Sequence, residues 1–348
     1  MIIDDVNVPI VLAPMAGGPS TPELTAAVAE AGGFGVLAAG YLTAAALAER
    51  IAATRSATSA PFGVNLFVPS TPTPPAVFTG YLDTLRTRFP VGEPKYDTDD
   101  WDAKLDLLIA DPVAVVTFTF GCPSAAEVRR LHEVGSEVWV TVTSPAEATI
   151  AITAGADLLV AQGSEAGGHR ATFVDRVADD AADPLGLLAL LQLLTTSTDR
   201  PVVAAGGIAT GAGIAATLAA GAAAAQLGTA FLQSPEAGTN QLVRDAIGGD
   251  TPTMLTRAFT GRRARGLRNR FLTDFTADAP VAYPEIHYAT GPLRAAARTS
   301  GDADAVNLWA GQAHSLTRPL PAAELVAKLA AETKTALESA LSRRIRSC

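Results

Sequence analysis

The sequence has few cysteines, few charged residues and no excess of positive charge, and each shortage excludes a class of protein. Two cysteines, Cys122 and Cys348, cannot cross-link 348 residues, which excludes a disulfide scaffold. Lys and Arg number 26 against 35 Asp and Glu, and the formal charge of -9 argues against unspecific binding to nucleic acid or anionic lipid. Only 18% of residues are charged and 48% are hydrophobic, so burial can outweigh chain entropy and the chain is not disordered.

The sequence also contains no stretch that we interpret as an export signal or a membrane span. The opening residues MIIDDVNVPIVLAPMAGG carry acids where a signal peptide would carry basic residues. Residues 201–235 hold no charge and are long enough to cross a membrane. They consist mainly of Ala and Gly and divide into strand-like and helix-like pieces, which favours a buried βαβ unit. We therefore expect a cytoplasmic protein.

Short β-branched runs alternate with Ala- and Leu-rich stretches along the first 235 residues. This alternation is typical of parallel strands that are connected by helices. Eight strands are predicted, at residues 10–13, 34–38, 62–67, 113–118, 138–142, 157–161, 201–205 and 223–227. Eight such units in about 230 residues match a closed barrel, whereas an open doubly wound sheet usually has fewer strands.

The predicted fold is therefore an α/β protein, a (β/α)₈ TIM barrel over residues 1–235, with two additions. Residues 69–100 are rich in Pro and Thr, lack hydrophobic periodicity and form an excursion from the barrel. Residues 236–348 are less regular and end in a helix predicted over residues 322–341. We interpret this second addition as a smaller α-rich lid, whose last helix packs back on the barrel.

In such barrels the active site lies at the C-terminal ends of the strands, so the residues that follow each strand are candidates. Gly206 and Gly207 follow the seventh strand, and Gly228 and Thr229 follow the eighth. Loops at these two places commonly bind a phosphate through main-chain amides, although glycines also serve simple tight turns. His169 follows the sixth strand in AQGSEAGGHR, and an imidazole can accept or relay a proton near neutral pH.

Other features have weaker claims to a function. Residues 211–216 match the GxGxxA fingerprint, but no acidic residue follows about 20 positions later to bind a ribose. Cys122 also follows a strand, and packing is favoured over a nucleophilic role. The arginines of residues 261–270 lack interleaved aromatic residues, which favours salt bridges or closure over the barrel rather than nucleic-acid binding. No metal-ligand spacing is present. The remaining histidines, which we interpret as structural, are His132, His287 and His314.

Segments along almost the whole chain resemble the nitronate monooxygenases, formerly called 2-nitropropane dioxygenases. They are APMAGGPSTPELTAAVAEAGGFGVLAAGY, FGVNLFVP, AQGSEAGGH, PVVAAGGIATGAGIAATLAAGAAAAQLGTAFL, FTGRRARGLRNRF and LWAGQ. Only the GGI and GT pieces are shared with many flavin barrels, so the set as a whole is specific. Residues 69–100 match no sharp motif, and no substrate-pocket residue can be assigned there.

The resemblance implies a TIM barrel that binds FMN non-covalently and has His169 as its catalytic residue. The FMN contacts that it implies are Pro14, Met15, Asn65, Gln162, Gly167, Gly168, Gly206, Gly207, Gln226, Leu227, Gly228 and Thr229. The implied reaction oxidises alkyl nitronates with O2 to a carbonyl compound and nitrite, a detoxification for which propionate 3-nitronate and some nitroalkanes are candidate substrates. His169 would deprotonate a neutral nitroalkane or, when protonated, hold the nitronate oxygens. The oligomeric state stays open, with a homodimer as the candidate.

Two alternatives remain at the level of the sequence. An NAD(P)H-dependent flavin reductase, acting on quinones or on enoyl-acyl-carrier substrates, looks similar around EAGGH and GGI, while FTGRRARGLRNRF favours the monooxygenase. A non-catalytic FMN-binding or sensor protein would be distinguished by bound flavin without turnover.

Overall fold

The computed structural model describes residues 1–178 and 184–342, so Cys348 lies outside the described residues. The strands are β1 (Ile10–Leu12), β2 (Gly35–Ala38), β3 (Phe62–Phe67), β4 (Val115–Thr119), β5 (Glu137–Val142), β6 (Leu158–Gln162), β7 (Gly168–His169), β8 (Val202–Ala205), β9 (Ala224–Leu227), β10 (Thr253–Thr256) and β11 (Ala264–Leu267).

Eight of these strands form a nearly closed parallel barrel, which confirms the predicted fold. Their order is β1-β9-β8-β6-β5-β4-β3-β2, and all the neighbouring pairs are parallel. A bridge between Val11 and Phe34 brings the two end strands together. The other three strands form a small antiparallel sheet in the order β10-β11-β7, which joins the loop after β6 to the C-terminal region.

Helices connect the barrel strands and build the C-terminal region. They are α1 (Pro22–Glu30), α2 (Ala44–Ala57), α3 (Thr79–Arg86), α4 (Trp101–Ala110), α5 (Ala125–Glu133), α6 (Pro145–Ala154), α7 (Leu187–Thr195), α8 (Gly211–Ala219), α9 (Gln241–Ala246), α10 (Arg270–Phe275), α11 (Glu285–Ala289), α12 (Gly291–Ser300) and α13 (Ala322–Ser342). Local signals set several starts: at α5, for example, Ser124 and Glu127 form a capping box.

The strands bury both of their faces, so the barrel has an inner and an outer core. Successive side chains of a strand point to opposite faces. One set fills the barrel interior, where the rings of Phe34 and Trp139 lie 5.2 Å apart between their centroids. The other set, which includes Leu12 and Leu227, packs against the surrounding helices. This explains why the predicted strands are continuous apolar runs rather than alternating ones.

The uncharged stretch of residues 201–235 folds as the βαβ unit β8-α8-β9, as predicted. Within the described ranges, no helix is both long and apolar enough to cross a membrane. The long helix α13 packs against α8, and a Cβ on Gly211 would lie 2.3 Å from the Cβ of Glu332. The glycine at the start of the GxGxxA segment therefore permits close helix packing, which is a structural explanation of that motif.

The excursion of residues 69–100 contains a short helix that the sequence analysis did not predict. Helix α3 buries Tyr81, Leu82 and Leu85 against the C-terminal region, in a cluster that also contains Phe259 and Phe271. The helix has only about two turns, so its helical hydrophobic period is short. The surrounding segment is rich in Pro and Thr, and so short a period is not recognisable in it. The excursion and the C-terminal region thus pack together above the barrel.

Candidate active site

A cavity of about 630 Å³ opens where the C-terminal ends of the barrel strands meet the C-terminal region. Volumes of roughly 300–1,000 Å³ are usual for pockets that bind cofactors and other small molecules. His169 and eleven of the twelve residues expected to contact FMN line it. The glycines of the loops after β6, β8 and β9 therefore share one space with the histidine.

The alternation of side chains along the strands decides which expected residues face this cavity. Asn65, Gln162 and Gln226 point inward at the ends of β3, β6 and β9, and all three line the cavity. Leu227 follows Gln226 and so points outward, where its side chain lies in the outer core and its carbonyl accepts the N–H of Ala13. Leu227 is therefore the one expected contact whose side chain does not face the cavity.

Glycines form one end of the cavity, and their backbone geometry requires them. Gly206 and Gly207 have φ angles of 117° and 68°, which favour glycine. A Cβ on Gly207 would lie 2.9 Å from the Cβ of Glu165, and a Cβ on Gly167 would lie 2.4 Å from the amide nitrogen of Gly311. The loops therefore approach one another closely and leave main-chain groups, rather than side chains, to line this end.

Gln162 positions the loop that carries His169. Its Nε2 donates to the carbonyl oxygen of His169 at 3.0 Å, and its Oε1 accepts the N–H of Ala171 at 2.9 Å. Buried Arg170 donates to the carbonyl oxygen of Gly163 at 2.5 Å. Pairing of β7 with β11 fixes the other side of the loop, with His169 opposite Ala264. The loop is thus held from both sides, which fixes the imidazole.

The hydrogen bonds of His169 assign its tautomer. Its Nε2 lies 2.9 Å from the hydroxyl oxygen of Thr260, and that hydroxyl lies 3.1 Å from the carbonyl oxygen of Arg262. A carbonyl only accepts and a hydroxyl has one proton, so Thr260 donates to Arg262 and Nε2–H donates to Thr260. Nδ1 is then the nitrogen without a proton.

The surroundings of His169 keep its ring neutral. The rings of Phe120, Tyr283 and Trp309 lie 5.6 to 5.7 Å from the imidazole between centroids, and His169 also lines the cavity. Burial, followed by the positive charges of Arg262 and Arg294, lowers the pKa of His169 to about 3. The imidazole is therefore uncharged at neutral pH. Of the two roles expected for His169, holding the nitronate oxygens as a protonated ring does not match this electrostatic environment.

Several cavity residues were missed by the sequence analysis, and the most informative is Tyr41. Its phenol oxygen lies 3.1 Å from that of Tyr283, and its ring stacks on His287 at 4.1 Å between centroids. His287, which we had interpreted as structural, lines the cavity together with Arg294. The only sequence signals were the position of Tyr41 after a strand and the unusual density of Tyr and His in YPEIHY.

Two cavity residues adopt a backbone conformation that non-glycine residues rarely take. Tyr41 and Phe120 have φ angles of 68° and 74°. The N–H of Tyr41 donates to Asp99 at 2.7 Å, and the Arg262 guanidinium carbon lies 4.1 Å above the Phe120 ring. Such strain persists only where surrounding contacts determine it, and it is frequent at functional sites.

The weaker candidates have structural surroundings. Burial raises the pKa of the Cys122 thiol to about 11, which disfavours a thiolate nucleophile. His132 lies on the outer surface, 2.8 Å from Asp157. In the arginine run, Arg263 lies 3.1 Å from Asp175, and Arg265 donates to the carbonyl oxygen of Ser164. In the part of the chain that the structure describes, no group of three His, Cys, Asp or Glu side chains has a metal-binding arrangement.

Comparisons with known proteins agree with this architecture. Residues 2–332 match the family model described as nitronate monooxygenase. The chain is 41% identical over 341 residues to a nitronate monooxygenase of Pseudomonas aeruginosa, covering 94% of this chain and 96% of that protein. It is 40% identical over 348 residues to one of Paraburkholderia phytofirmans, covering 96% and 94%.

Two solved structures resemble the chain to different degrees. The structure of a nitroalkane oxidase from Streptomyces ansochromogenes is 48% identical, with a TM-score of 0.95 and coverage of 98% of this chain and 99% of that one. A structure of FabK from Thermotoga maritima is 28% identical, with a TM-score of 0.75 and coverage of 98% and 97%. The similarity to FabK is thus weaker in sequence and in backbone geometry.

Proposed function

The chain belongs to the nitronate monooxygenase family, and on that premise we propose that it oxidises alkyl nitronates with O2 in the barrel-mouth cavity, using FMN held there without a covalent bond. The family is flavin-dependent, and the enzyme is an oxidoreductase of nitronates. One observation carries the proposal: His169 and eleven of the twelve expected FMN contacts line a single cavity of about 630 Å³. The products would be a carbonyl compound and nitrite.

Several features of the cavity support flavin mononucleotide as the cofactor. The positive φ angles of Gly206 and Gly207, and the tight approach of Gly167 to Gly311, leave main-chain groups facing the space. A Cβ on Gly228 would lie 3.2 Å from the Cβ of Ala13 and 3.5 Å from the Sδ of Met15. We propose that the loops after β8 and β9 bind the phosphate, and that the loop of Pro14 and Met15 flanks the ring system.

When bound, the flavin supplies the redox chemistry, and the chain supplies orientation and electrostatics. Asn65 is fixed for such a role, because its Nδ2 donates to the hydroxyl oxygens of Thr117 and Thr119 at 2.7 and 3.0 Å. The side-chain NH2 and carbonyl groups of Gln162 both hydrogen-bond to the loop that carries His169. Gln162 would therefore affect the cofactor largely through that loop.

The electrostatics of His169 favour a nitronate over a neutral nitroalkane. An imidazole with a pKa of about 3 is a weak base toward a carbon-bound proton. A nitronate has already lost that proton, and it brings a negative charge into a cavity whose neighbouring side chains include Arg294. The unprotonated Nδ1 of this neutral ring cannot donate to a nitronate oxygen, so we propose that His169 positions the substrate through contact with its ring. Nitroalkanes would then be turned over mainly after they ionise in solution.

The reductase alternative is not favoured, because the FabK structure is less similar than the nitroalkane oxidase structure. The test that separates them uses the purified protein in anaerobic cuvettes. We expect a yellow flavin spectrum, FMN on release and mass analysis, and bleaching by ethyl nitronate but not by NAD(P)H. A colourless protein would contradict the cofactor proposal, and bleaching by NAD(P)H alone would support the reductase. Bound flavin with no response to either would support a non-catalytic flavin protein.

Three sequence predictions stay predictions. We propose that residues 236–348 act as a lid on the barrel, that the protein is a homodimer and that it is cytoplasmic. The small sheet supports the first, because β11 of the C-terminal region pairs with the His169 strand. Light scattering of the purified protein and fractionation of the source cells test the other two.

A further inference from the structure

Helix α12 carries two arginines that line the same cavity as His169. Arg294 and Arg298 are four residues apart and therefore lie on one face of the helix. Arg294 is 8% exposed, and its Nη2 donates to the carbonyl oxygen of His287 at 2.5 Å. Arg298 donates to Oδ1 of Asn307 at 3.1 Å. Both guanidinium groups are thus fixed by neutral oxygens at the wall of the cavity.

Within the described ranges of the chain, neither of these arginines forms an ion pair with a carboxylate. The hydrogen-bond partners of Arg294 are the carbonyl oxygens of Thr290 and His287 and, at 3.5 Å, Nδ1 of the His287 ring. No carboxylate is among the groups that shift its pKa, which burial lowers to about 10. By contrast, buried Arg257 lies 2.8 Å from Asp175. A buried charge without an opposite charge is costly, so the site is prepared for an anion.

We propose, on the basis of the function proposed above, that Arg294 is the residue that binds the negative charge of the nitronate. It lines the same cavity as His169 and His287, and both imidazoles are partly buried and lie against aromatic rings. A planar guanidinium presents two parallel N–H donors, which match the two oxygens of a nitronate group. Arg298 extends the positive wall along α12.

The test compares Arg294→Gln, Arg294→Lys and the control Arg130→Gln. Arg130 lies on the outer surface, where it pairs with Asp106. In the flavin-loaded enzyme we expect Arg294→Gln to raise the KM for ethyl nitronate roughly 10- to 100-fold, because a charge-assisted hydrogen bond is lost. Arg294→Lys should recover part of that loss, and Arg130→Gln should match the wild type. An unchanged KM in Arg294→Gln would overturn the proposal.

A binding measurement and a pH profile separate anion binding from a merely structural role. Nitrate is an unreactive planar anion, and its binding by isothermal titration calorimetry should be lost in Arg294→Gln. Loss of the guanidinium should also raise the pKa of His169 and move the acid limb of kcat/KM to higher pH. The charged and titratable groups that face His169 are Arg262, Arg294, Asp175, Tyr283 and His287, and only Arg294 changes in this comparison.

Further outcomes distinguish nitronate binding by Arg294 from phosphate binding, from misfolding of the variant and from a failure of the proposed function. If Arg294 bound the FMN phosphate instead, the variant would lose flavin while its KM in excess FMN stayed unchanged, and this would overturn the proposal. If Arg294→Gln did not fold, Arg294→Lys would still provide the test, because lysine keeps the charge but lacks the two parallel N–H donors and should raise the KM for ethyl nitronate; a KM equal to that of the wild type would overturn the proposal. A wild type without nitronate turnover would instead refute the proposed function.

Discussion

The phenol oxygens of Tyr41 and Tyr283 lie 3.1 Å apart, although the residues are separated by 242 positions in the chain. Tyr41 follows β2 of the barrel, and Tyr283 precedes α11 of the C-terminal region. Burial raises the pKa of both phenols, that of Tyr41 to about 12. Both hydroxyls therefore stay protonated, and the pair links the barrel to the C-terminal region.

A buried ion pair supports this link, and breaking it should destabilise the protein. Lys104 is 1% exposed and its Nζ lies 2.8 Å from Asp99, whose other oxygen accepts the N–H of Tyr41. We expect Lys104→Met to lower the free energy of unfolding by about 3–5 kcal/mol, because the Asp99 carboxylate stays buried without its partner. Urea denaturation measures this loss.

The control for that change is Lys95→Met. Lys95 is 64% exposed in its own ion pair with Asp97, so its loss should cost about 0–1 kcal/mol. Adding Asp99→Asn to Lys104→Met should restore part of the stability, since it removes the unpaired charge and Asn tolerates a φ of 57°. Equal losses in the two lysine variants would show that the buried pair contributes little.

Replacing His169 should remove turnover and keep the cofactor. We expect His169→Asn to retain FMN and to lose nitronate turnover by about 100-fold or more, because the ring that faces the cavity is gone while the loop stays held by Gln162. The flavin absorbance and the rate of nitrite release measure the two properties. Undiminished turnover in a flavin-loaded variant would refute a catalytic role for His169.

A glycine substitution should separate cofactor binding from backbone strain. Gly207→Ala places a side chain at a φ of 68° beside Glu165, at the glycine end of the cavity. Gly301→Ala creates the same strain at a φ of 72°, where nothing lies within 4 Å of the new Cβ. Gly301→Ala should lose about 1–2 kcal/mol of stability, and Gly207→Ala should lose more because its Cβ also meets Glu165. Only Gly207→Ala should release FMN on dilution. Flavin retained equally by both would exclude this loop from the cofactor site.

Acid should destabilise the protein partly through His169. Its pKa is about 3 in the folded state and about 6.5 when unfolded, so between these values the unfolded state binds the extra proton. The contribution of the neutral ring is complete above pH 6.5 and is lost as the pH falls toward 3. We expect the wild type to lose up to about 1.4 kcal/mol per pH unit more than His169→Asn in that window. If the urea midpoints of the wild type and of His169→Asn fell by the same amount between pH 7, 5 and 4, this prediction would be contradicted.

The sequence by itself determined the barrel and the position of the glycine-rich loops. Each barrel strand and most of the connecting helices are short segments whose apolar run, cap or hydrophobic period is local in the sequence, as at residues 62–67 and in the helix Trp101–Ala110. The rule that sites lie at the C-terminal ends of barrel strands then located His169 and Gly207 at one edge. The local sequence pattern and the fold class together were sufficient to predict the part of the cavity that the barrel loops form.

Tertiary structure alone decided the other half. Tyr41, His287 and Arg294 come from segments with no shared local pattern, and only the packing of the C-terminal region over the barrel brings them to one cavity. The outward direction of Leu227 follows from strand parity, which requires the exact register. The neutral state of His169 depends on burial among three aromatic rings and two arginines, and such an environment exists only after distant parts of the chain have packed together.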